Sequence, residues 1–183
     1  MHVGLPTNFK ASVFADTAHT DILRRLEADI GAVTIDGKDV PVKLRVYDSL
    51  FVPMAKWCML LTGNYRCVEA DGVRPIRDAV HGNIDASKQM YGWVDSLARQ
   101  LGADPADQVP FEKYANAATS LLKPSSAARA IDSGIDRIER VDRLVQIIGG
   151  GLGLQNQQLD EIVAIVDARL ATNTNFKKVV NVG

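Results

Sequence analysis

Apolar residues recur every three or four positions along most of this chain, and this spacing limits the folds open to it. An apolar stripe with that period covers one face of an α-helix. The clearest stripe is made of Ile138, Val141, Leu144, Val145 and Ile148. Glu139, Arg140, Asp142 and Arg143 stand between them and are expected to face water. The pattern predicts a mainly α, multi-helix domain with about six or seven helices.

Caps, glycines and prolines divide the chain into the remaining helices. Pro53 is expected to kink or split the second helix, because proline lacks the backbone N–H that a helix interior needs. Gly82 and Gly92 fall inside the third and suggest that another backbone approaches there. The expected helices are 16–30, 45–61, 75–101, 111–122, one from Ser125 or Ser126 to about Ser133, and 156–170.

One segment has the alternating pattern of a strand instead of a helical period. Apolar residues alternate from Val33 to Val42 on both sides of Asp36-Gly37, a pair that favours the tight turn of a β-hairpin. Pro41 restricts the second strand to the edge of a sheet. We therefore expect an N-terminal appendage over residues 1–44, with one helix and one hairpin, then a helical domain over 45–172 and a loose tail over 173–183.

Composition excludes several classes of protein. The 183 residues carry a net charge of −1, which offers no broad attraction to nucleic acid or to an anionic membrane. Cys58 and Cys67 lack the spacing of metal ligands, and we expect them to be two buried thiols in a reducing compartment. The first residues do not resemble a signal peptide, and the longest apolar run is too short to cross a bilayer. A cytoplasmic protein is expected.

No motif for binding a nucleotide or a metal is present. The glycine-rich segment 149–153 follows a helix, whereas a dinucleotide loop follows a strand and has the spacing GxGxxG. We interpret this segment as a turn that ends a helix. The three histidines are far apart and predict no metal site. Without a self-contained nucleotide loop, the chain is not expected to run cofactor chemistry alone.

Lys56 is the most unusual residue of the chain, because it stands inside the apolar run from Leu50 to Leu61. A buried ammonium costs several kcal/mol unless it is paired, so such a lysine needs a route to solvent or a function. Asn64 follows eight residues later, on the same face of a continuing helix. Together the two side chains would present a cation and an amide to one ligand.

The order of features from residue 45 to 170 resembles the helical C-terminal domain of ketopantoate reductases, relatives of 6-phosphogluconate and β-hydroxyacid dehydrogenases. Lys56 and Asn64 are followed by a long helix that ends at Gly102. Further along lie Lys-Pro-Ser-Ser at 123–126, Ile-Asp-Ser-Gly at 131–134 and the amphipathic run 137–142. Residues 1–44 resemble the end of the preceding nucleotide-binding domain only loosely.

The resemblance implies a role for several side chains. In a family pattern K-x3-N-x3-N, Lys56 would protonate the keto oxygen and Asn64 would bind substrate, while Leu60 replaces the first asparagine. Ser125 or Ser126 would take the place of a substrate-binding serine at the start of a helix. The family's glutamate falls at Arg137 when the apolar positions are aligned, and Glu139 lies two residues away. The implied protein is a homodimer that binds a small keto acid.

The cofactor implied by the resemblance is NADP, held by a nucleotide-binding domain that is absent from this chain; no metal is implied. The alternative is a stand-alone helical module that dimerises or binds a protein partner without catalysis. A helix-turn-helix DNA reader is disfavoured, because the arginines at 137, 140 and 143 are neutralised by nearby carboxylates.

Overall fold

The computed structural model describes residues 7–180, and 62% of the chain is helical. The expectation of a mainly α protein is confirmed. None of the helices within the described residues is long and apolar enough to cross a membrane. The residues form two units: residues 7–55 with Gly102–Gln108, and Lys56–Leu101 with residues 109–180. We call them the β-α-β unit and the helical unit.

The β-α-β unit is built on a parallel pair of strands. Strand β1 (Thr7–Ser12) leads into helix α1 (Thr17–Ala32), which returns the chain to β4 (Val42–Tyr47). The two strands pair from Thr7 opposite Val42 to Ser12 opposite Tyr47. Neither strand was predicted, and the helix expected from Arg45 begins instead at Phe51, as α2 (Phe51–Met54).

The predicted hairpin is present but shorter than expected. Strands β2 (Thr34–Ile35) and β3 (Lys38–Asp39) are antiparallel, and φ is positive at both Asp36 (52°) and Gly37 (73°). Positive φ at both central residues is the signature of the tight turn that Asp-Gly favours. The chain leaves the hairpin after β3, so Val42 belongs to the parallel sheet.

Side chains of α1 cover the outer edge of β4. The backbone N–H of Val46 donates to a carboxylate oxygen of Glu27 at 3.2 Å, and Arg24 donates to Asp48 at 2.6 Å. The N-terminus of α1 is capped by Asp16, whose carboxylate accepts from the N–H of Ala18. Yet α1 contains no buried residue. This unit therefore leaves part of its apolar surface uncovered.

The helical unit consists of short helices around one core. Buried side chains from every part of the unit meet there, among them Leu61, Met90, Leu97, Ile131 and Leu159. A small hairpin, β5 (Val68–Glu69) and β6 (Gly72–Val73), is its only sheet in the described residues. Its α-helices are α3 (Lys56–Met59), α4 (Ile76–His81), α5 (Ile84–Gln100), α6 (Phe111–Ala118), α7 (Ser126–Asp132), α8 (Val141–Gly151) and α9 (Gln157–Val180).

Several boundaries differ from those expected. The long segment after Pro75 breaks near Asn83, whose side chain accepts from the N–H of Ala86 and starts a new helix. Helix α8 continues through Gly149, Gly150 and Gly151 before it ends. Residues 173–180, expected to be loose, continue α9, while 181–183 lie outside the described residues.

Close backbone approach occurs at other glycines than those predicted. A Cβ on Gly63 would lie 2.0 Å from Oη of Tyr114, and one on Gly149 would lie 3.0 Å from the Trp93 ring. A Cβ on Gly92 would meet nothing within 4 Å, and one on Gly82 would meet only the backbone of Asp78 in the preceding turn. The interior glycines that suggested helix crossing are therefore not crossing points within the described chain.

Arg169 of α9 joins two other parts of the helical unit. Its guanidinium donates to the carbonyls of Glu69 and Gly72 at 2.9 and 2.7 Å, and to Asp132 at 3.2 Å. One turn later, the side-chain amide of Asn173 donates to the carbonyls of Ile131 and Ile135. The end of the chain thereby holds the small hairpin and the end of α7 in place.

Candidate functional site

The segment that carries Lys56 and Asn64 is a helix whose geometry differs along its length. After α3 the backbone widens into a π-helical turn from Leu60 to Asn64 and then tightens into a 3₁₀ turn, Tyr65–Cys67. Oη of Tyr114 approaches Gly63 and donates to the carbonyl of Met59 at 3.2 Å. Single π-helical turns within helices are frequent at functional sites. The widened turn ends at Asn64.

Tyr65 fixes the position of Glu139. Its buried hydroxyl donates to the backbone carbonyl of Glu139 at 2.6 Å and accepts from the N–H of Val141 at 2.9 Å. Burial raises the pKa of Tyr65, which keeps this donor protonated. Sequence reasoning did not identify Tyr65. The only available signal was an aromatic residue directly after Asn64, and nothing nearby in sequence indicates a partner 74 residues away.

Ser125 connects α7 to Asn64. Its buried hydroxyl accepts from the N–H of Ala128 at 3.1 Å, which caps the helix, and donates to the backbone carbonyl of Asn64 at 2.8 Å. The hydroxyl is therefore already engaged as donor and acceptor. Ser126, the first residue of α7, is exposed. Of the two serines proposed as substrate ligands, Ser126 has the accessible hydroxyl.

Lys56 is not buried, contrary to the expectation drawn from its apolar neighbours. The side chain is exposed at the start of α3, and the described residues of the helical unit offer it no salt bridge. Eight residues at the rise of an α-helix separate it from Asn64 by about 12 Å. Backbone contacts thus connect these segments into one neighbourhood: Ser125 bonds the carbonyl of Asn64, and Tyr65 bonds the carbonyl of Glu139. Lys56 lies two turns before Asn64 on the same segment.

Two arginines near this neighbourhood are occupied by structural contacts. Arg66 donates to Oγ of Ser87 at 2.6 Å and to the carbonyl of Thr62 at 3.3 Å. Burial lowers the pKa of Arg66, and the nearby charge of Arg74 lowers it further. Arg74 in turn donates to the carbonyl of Arg66 at 2.8 Å. Arg66 and Arg74 are therefore engaged within the helical unit.

The charges that follow Glu139 form an ion-pair network instead of a solvated face. Arg140 contacts both carboxylate oxygens of Asp142 at 2.9 and 2.8 Å and reaches Asp167 at 2.5 Å, and Arg143 also pairs with Asp167. Asp142 is fully buried, contrary to the expectation that it faces water. Although burial lowers the pKa of Arg140, its hydrogen bonds to the two carboxylates outweigh that effect and raise it.

The β-α-β unit does not fit the phosphates of a nucleotide. The turn between β1 and α1 contains no glycine, and the carboxylate of Asp16 accepts from one N–H of the first turn of α1, that of Ala18. The N–H of Phe14 is bonded to Oγ1 of Thr20 at 3.0 Å. A dinucleotide site needs bare N–H groups at that place, so that the phosphates approach the helix dipole. This turn therefore does not match the phosphate-binding turn of a dinucleotide site.

The glycine-rich segment ends a helix, as expected. Gly149 to Gly151 complete α8, and Gly153 takes a positive φ of 72° as the chain turns toward α9. No strand precedes the segment, so it lacks the geometry of a phosphate loop. Within residues 7–180, no group of three or more His, Cys, Asp or Glu side chains is arranged to hold a metal ion.

Comparison with known proteins finds no matching family model, no matching curated protein and no matching solved structure. The resemblance to ketopantoate reductases therefore rests on the residues quoted above.

Proposed function

We propose that the helical unit is the substrate-binding and dimerisation part of an NADP-dependent reductase of 2-keto acids, similar to ketopantoate reductases. The observation that supports this best is the pair of hydrogen bonds that connects the segments of Asn64, Ser126 and Glu139. These residues lie far apart in the chain and are joined by the bonds of Tyr65 and Ser125. The segments that carry three of the positions selected by the resemblance are thus connected through their backbones.

The side chains suit a 2-keto acid, which carries a carboxylate beside a ketone. The amide of Asn64 and the hydroxyl of Ser126 supply donors for the carboxylate, and Glu139 supplies an acceptor for a substrate hydroxyl. Lys56 would give its Nζ proton to the ketone oxygen as that oxygen becomes a hydroxyl. Ser125 would act as a positioning residue, since its own hydroxyl is already bonded.

The nucleotide would be held outside these 183 residues, because the turn before α1 does not accept phosphates. A parallel β-α-β unit is the building block of nucleotide-binding sheets, which agrees with such an origin for this part of the chain. The contribution of this chain would be to bind and orient the keto acid and to hold the proton at Lys56.

The test is the activity of the intact gene product with NADPH and a panel of 2-keto acids, ketopantoate first. Lys56→Ala is expected to lower kcat by at least about a hundredfold, as loss of a general acid does. Lys113→Ala removes an exposed lysine from α6 and serves as the matched control. If Lys56→Ala reduces ketopantoate as fast as the control does, the assignment is wrong.

A second candidate is a helical module that dimerises without catalysis, favoured by the outer face of α8. Leu144 and Ile147 are exposed there, Leu152 is exposed directly after the helix ends, and Ile147 leaves 65% of its surface open. Apolar side chains grouped on one helix face mark interaction surfaces more often than scattered ones do. For this candidate, sedimentation should show a dimer that Ile147→Asp dissociates. Leu122→Asp, which places the same charge at another exposed leucine, should leave it intact.

Sedimentation as a monomer at high concentration, with no partner recovered, would count against the module. A dimer combined with loss of turnover in Lys56→Ala would support the reductase instead.

A further inference from the structure

The helical unit has a concavity where α5 passes the turn between α8 and α9. Its volume is about 250 Å³. None of the residues proposed above to bind a keto acid lines it. One aromatic side chain, Trp93, forms a wall, and four polar side chains surround it: Gln146, Gln155, Asn156 and Asp160.

The ring of Trp93 packs closely against α8 because Gly149 has no side chain. A Cβ at that position would lie 3.0 Å from Cη2 and 3.2 Å from Cζ2 of the indole, so the ring packs directly against the backbone of α8. Trp93 is half-buried. Its indole N–H makes no hydrogen bond within residues 7–180 and is not shut off from solvent. The lining therefore includes an aromatic ring packed against α8, and that ring carries an unbonded N–H donor.

The polar side chains are partly held in place and partly available. Nε2 of Gln146 donates to one oxygen of Asp160 at 2.6 Å, and Oδ1 of Asn156 accepts from the N–H of Leu159 at 3.0 Å. The second oxygen of Asp160, Nδ2 of Asn156 and the amide of Gln155 make no hydrogen bond with the described residues. The concavity thus offers both donors and acceptors, and hydrogen bonds orient the side chains of Gln146, Asn156 and Asp160.

The charges of the lining select against anions. No lysine or arginine lines the concavity, while Asp160 contributes a carboxylate. A phosphate or carboxylate ligand would meet repulsion without a compensating cation. A fully apolar ligand would leave the amides and the carboxylate without partners, which costs free energy on binding. The ligand that fits is neutral and both donates and accepts hydrogen bonds.

We propose that this concavity binds a neutral pyranose sugar. Each sugar hydroxyl donates and accepts, as the amides and the carboxylate require. One face of a pyranose ring carries only C–H groups, and these pack against an aromatic ring. The proposal does not involve Lys56 and does not depend on the reductase assignment.

The experiment is a titration of the isotope-labelled chain with methyl glycosides of glucose, galactose and N-acetylglucosamine, followed by heteronuclear NMR. The chain has two tryptophans, and the variant Trp93→Phe assigns the two indole N–H signals. The signal of Trp93 is expected to shift and saturate with at least one sugar, with a Kd on the order of millimolar for so small a ligand. The signal of Trp57 should stay in place and serves as the internal control.

Two variants test the polar lining without disturbing the fold. Asn156→Asp keeps the oxygen that caps α9 but removes the Nδ2 donor, and Gln155→Ala removes an exposed amide. Each is expected to weaken binding by about five- to tenfold, the effect of losing one hydrogen bond. Leu152→Ala, on the same turn but outside the lining, should leave the Kd unchanged. The proposal is wrong if no sugar shifts the Trp93 signal into the hundred-millimolar range, or if Asn156→Asp and Gln155→Ala bind as tightly as the parent chain.

Discussion

The two units of this protein bury their apolar side chains to different extents. In the β-α-β unit, α1 has no buried residue, and Ile22 and Leu26 leave 61% and 47% of their surfaces exposed. In the helical unit, the comparable helix α5 buries six side chains, including Met90, Val94 and Leu97. Since burial of apolar surface is the main stabilising term in folding, the helical unit is stabilised by its own core to a degree that the β-α-β unit is not.

The largest expected effect comes from truncating equivalent leucines in the two units. Leu97→Ala would open a cavity in the core of the helical unit and lower the free energy of unfolding by about 2–5 kcal/mol. Leu26→Ala on α1 removes a half-exposed side chain and should cost no more than about 0.5 kcal/mol. Urea denaturation followed by circular dichroism measures both. Equal losses would mean that α1 is covered in solution.

The next largest change in stability is expected at one glycine of the helical unit, and a second glycine of the same unit serves as the comparison. Gly63→Ala places a Cβ within 2.0 Å of Tyr114 Oη, so the ring must move and its bond to Met59 is lost. A loss of about 1–3 kcal/mol is expected from this overpacking. Gly92→Ala meets nothing and should stabilise α5 by about 1 kcal/mol. Thermal denaturation of both variants measures these changes in stability. If Gly63→Ala leaves the stability unchanged, the packing described for Tyr114 is wrong.

Alkaline pH should destabilise the helical unit in particular. Burial, assisted by the charge of Asp95, raises the pKa of Cys58 from 9.0 to about 12. The unfolded thiol therefore ionises first, so this contribution to stability is intact below pH 9.0 and is lost progressively toward pH 12, at about 1 kcal/mol per pH unit. Burial also raises the pKa of other groups in the same unit: Tyr65, Cys67, Tyr91 and Tyr114.

Both tryptophans lie in the helical unit, so their fluorescence during urea titrations reports its stability at each pH. Cys58→Ala should show a shallower decline above pH 9.0 than the parent chain, whatever its stability at neutral pH. Parallel declines would show that Cys58 does not contribute to the pH dependence.

The smallest effect concerns the covered edge of β4. Glu27→Ala removes the acceptor of the Val46 N–H, and hydrogen exchange at that amide should become about two- to fivefold faster, as expected from a bond of about 0.5–1 kcal/mol. Asp29→Ala removes an exposed carboxylate from the same helix and is the control. Unchanged exchange in Glu27→Ala would show that the edge is protected in another way.

Local patterns in the sequence predicted what depends on near neighbours. Asp36-Gly37 identified the hairpin turn, and a serine before α7 identified its cap. The parallel sheet was not predicted, although the apolar residues Val42, Leu44 and Val46 alternate as in a strand. The alternation covers only six residues, and the segment directly after it has a helical pattern that was extended back over them. Its partner strand lies across a whole helix, and no local rule connects the two.

The candidate site shows the same limit. Lys56 was chosen for its apolar neighbours and Asn64 for its spacing from Lys56. The burial expected of Lys56 is absent, because an apolar run does not reveal which side of a helix faces the core. The bond from Ser125 to the carbonyl of Asn64 spans 61 residues, and that from Tyr65 to Glu139 spans 74. Such pairs are decided by the packing of the complete unit.

The bonds of Arg169 have a consequence for the order in which the protein folds. They join α9 to carbonyls 97 and 100 positions earlier, and closing so long a loop costs entropy before any contact offsets it. Ribosomes release the N-terminal part of a chain first. During synthesis, the side chains of β5 and α8 that pack against α9 must therefore stay uncovered until α9 has emerged. A nascent chain stalled before Gln157 would be a target for chaperones and for aggregation.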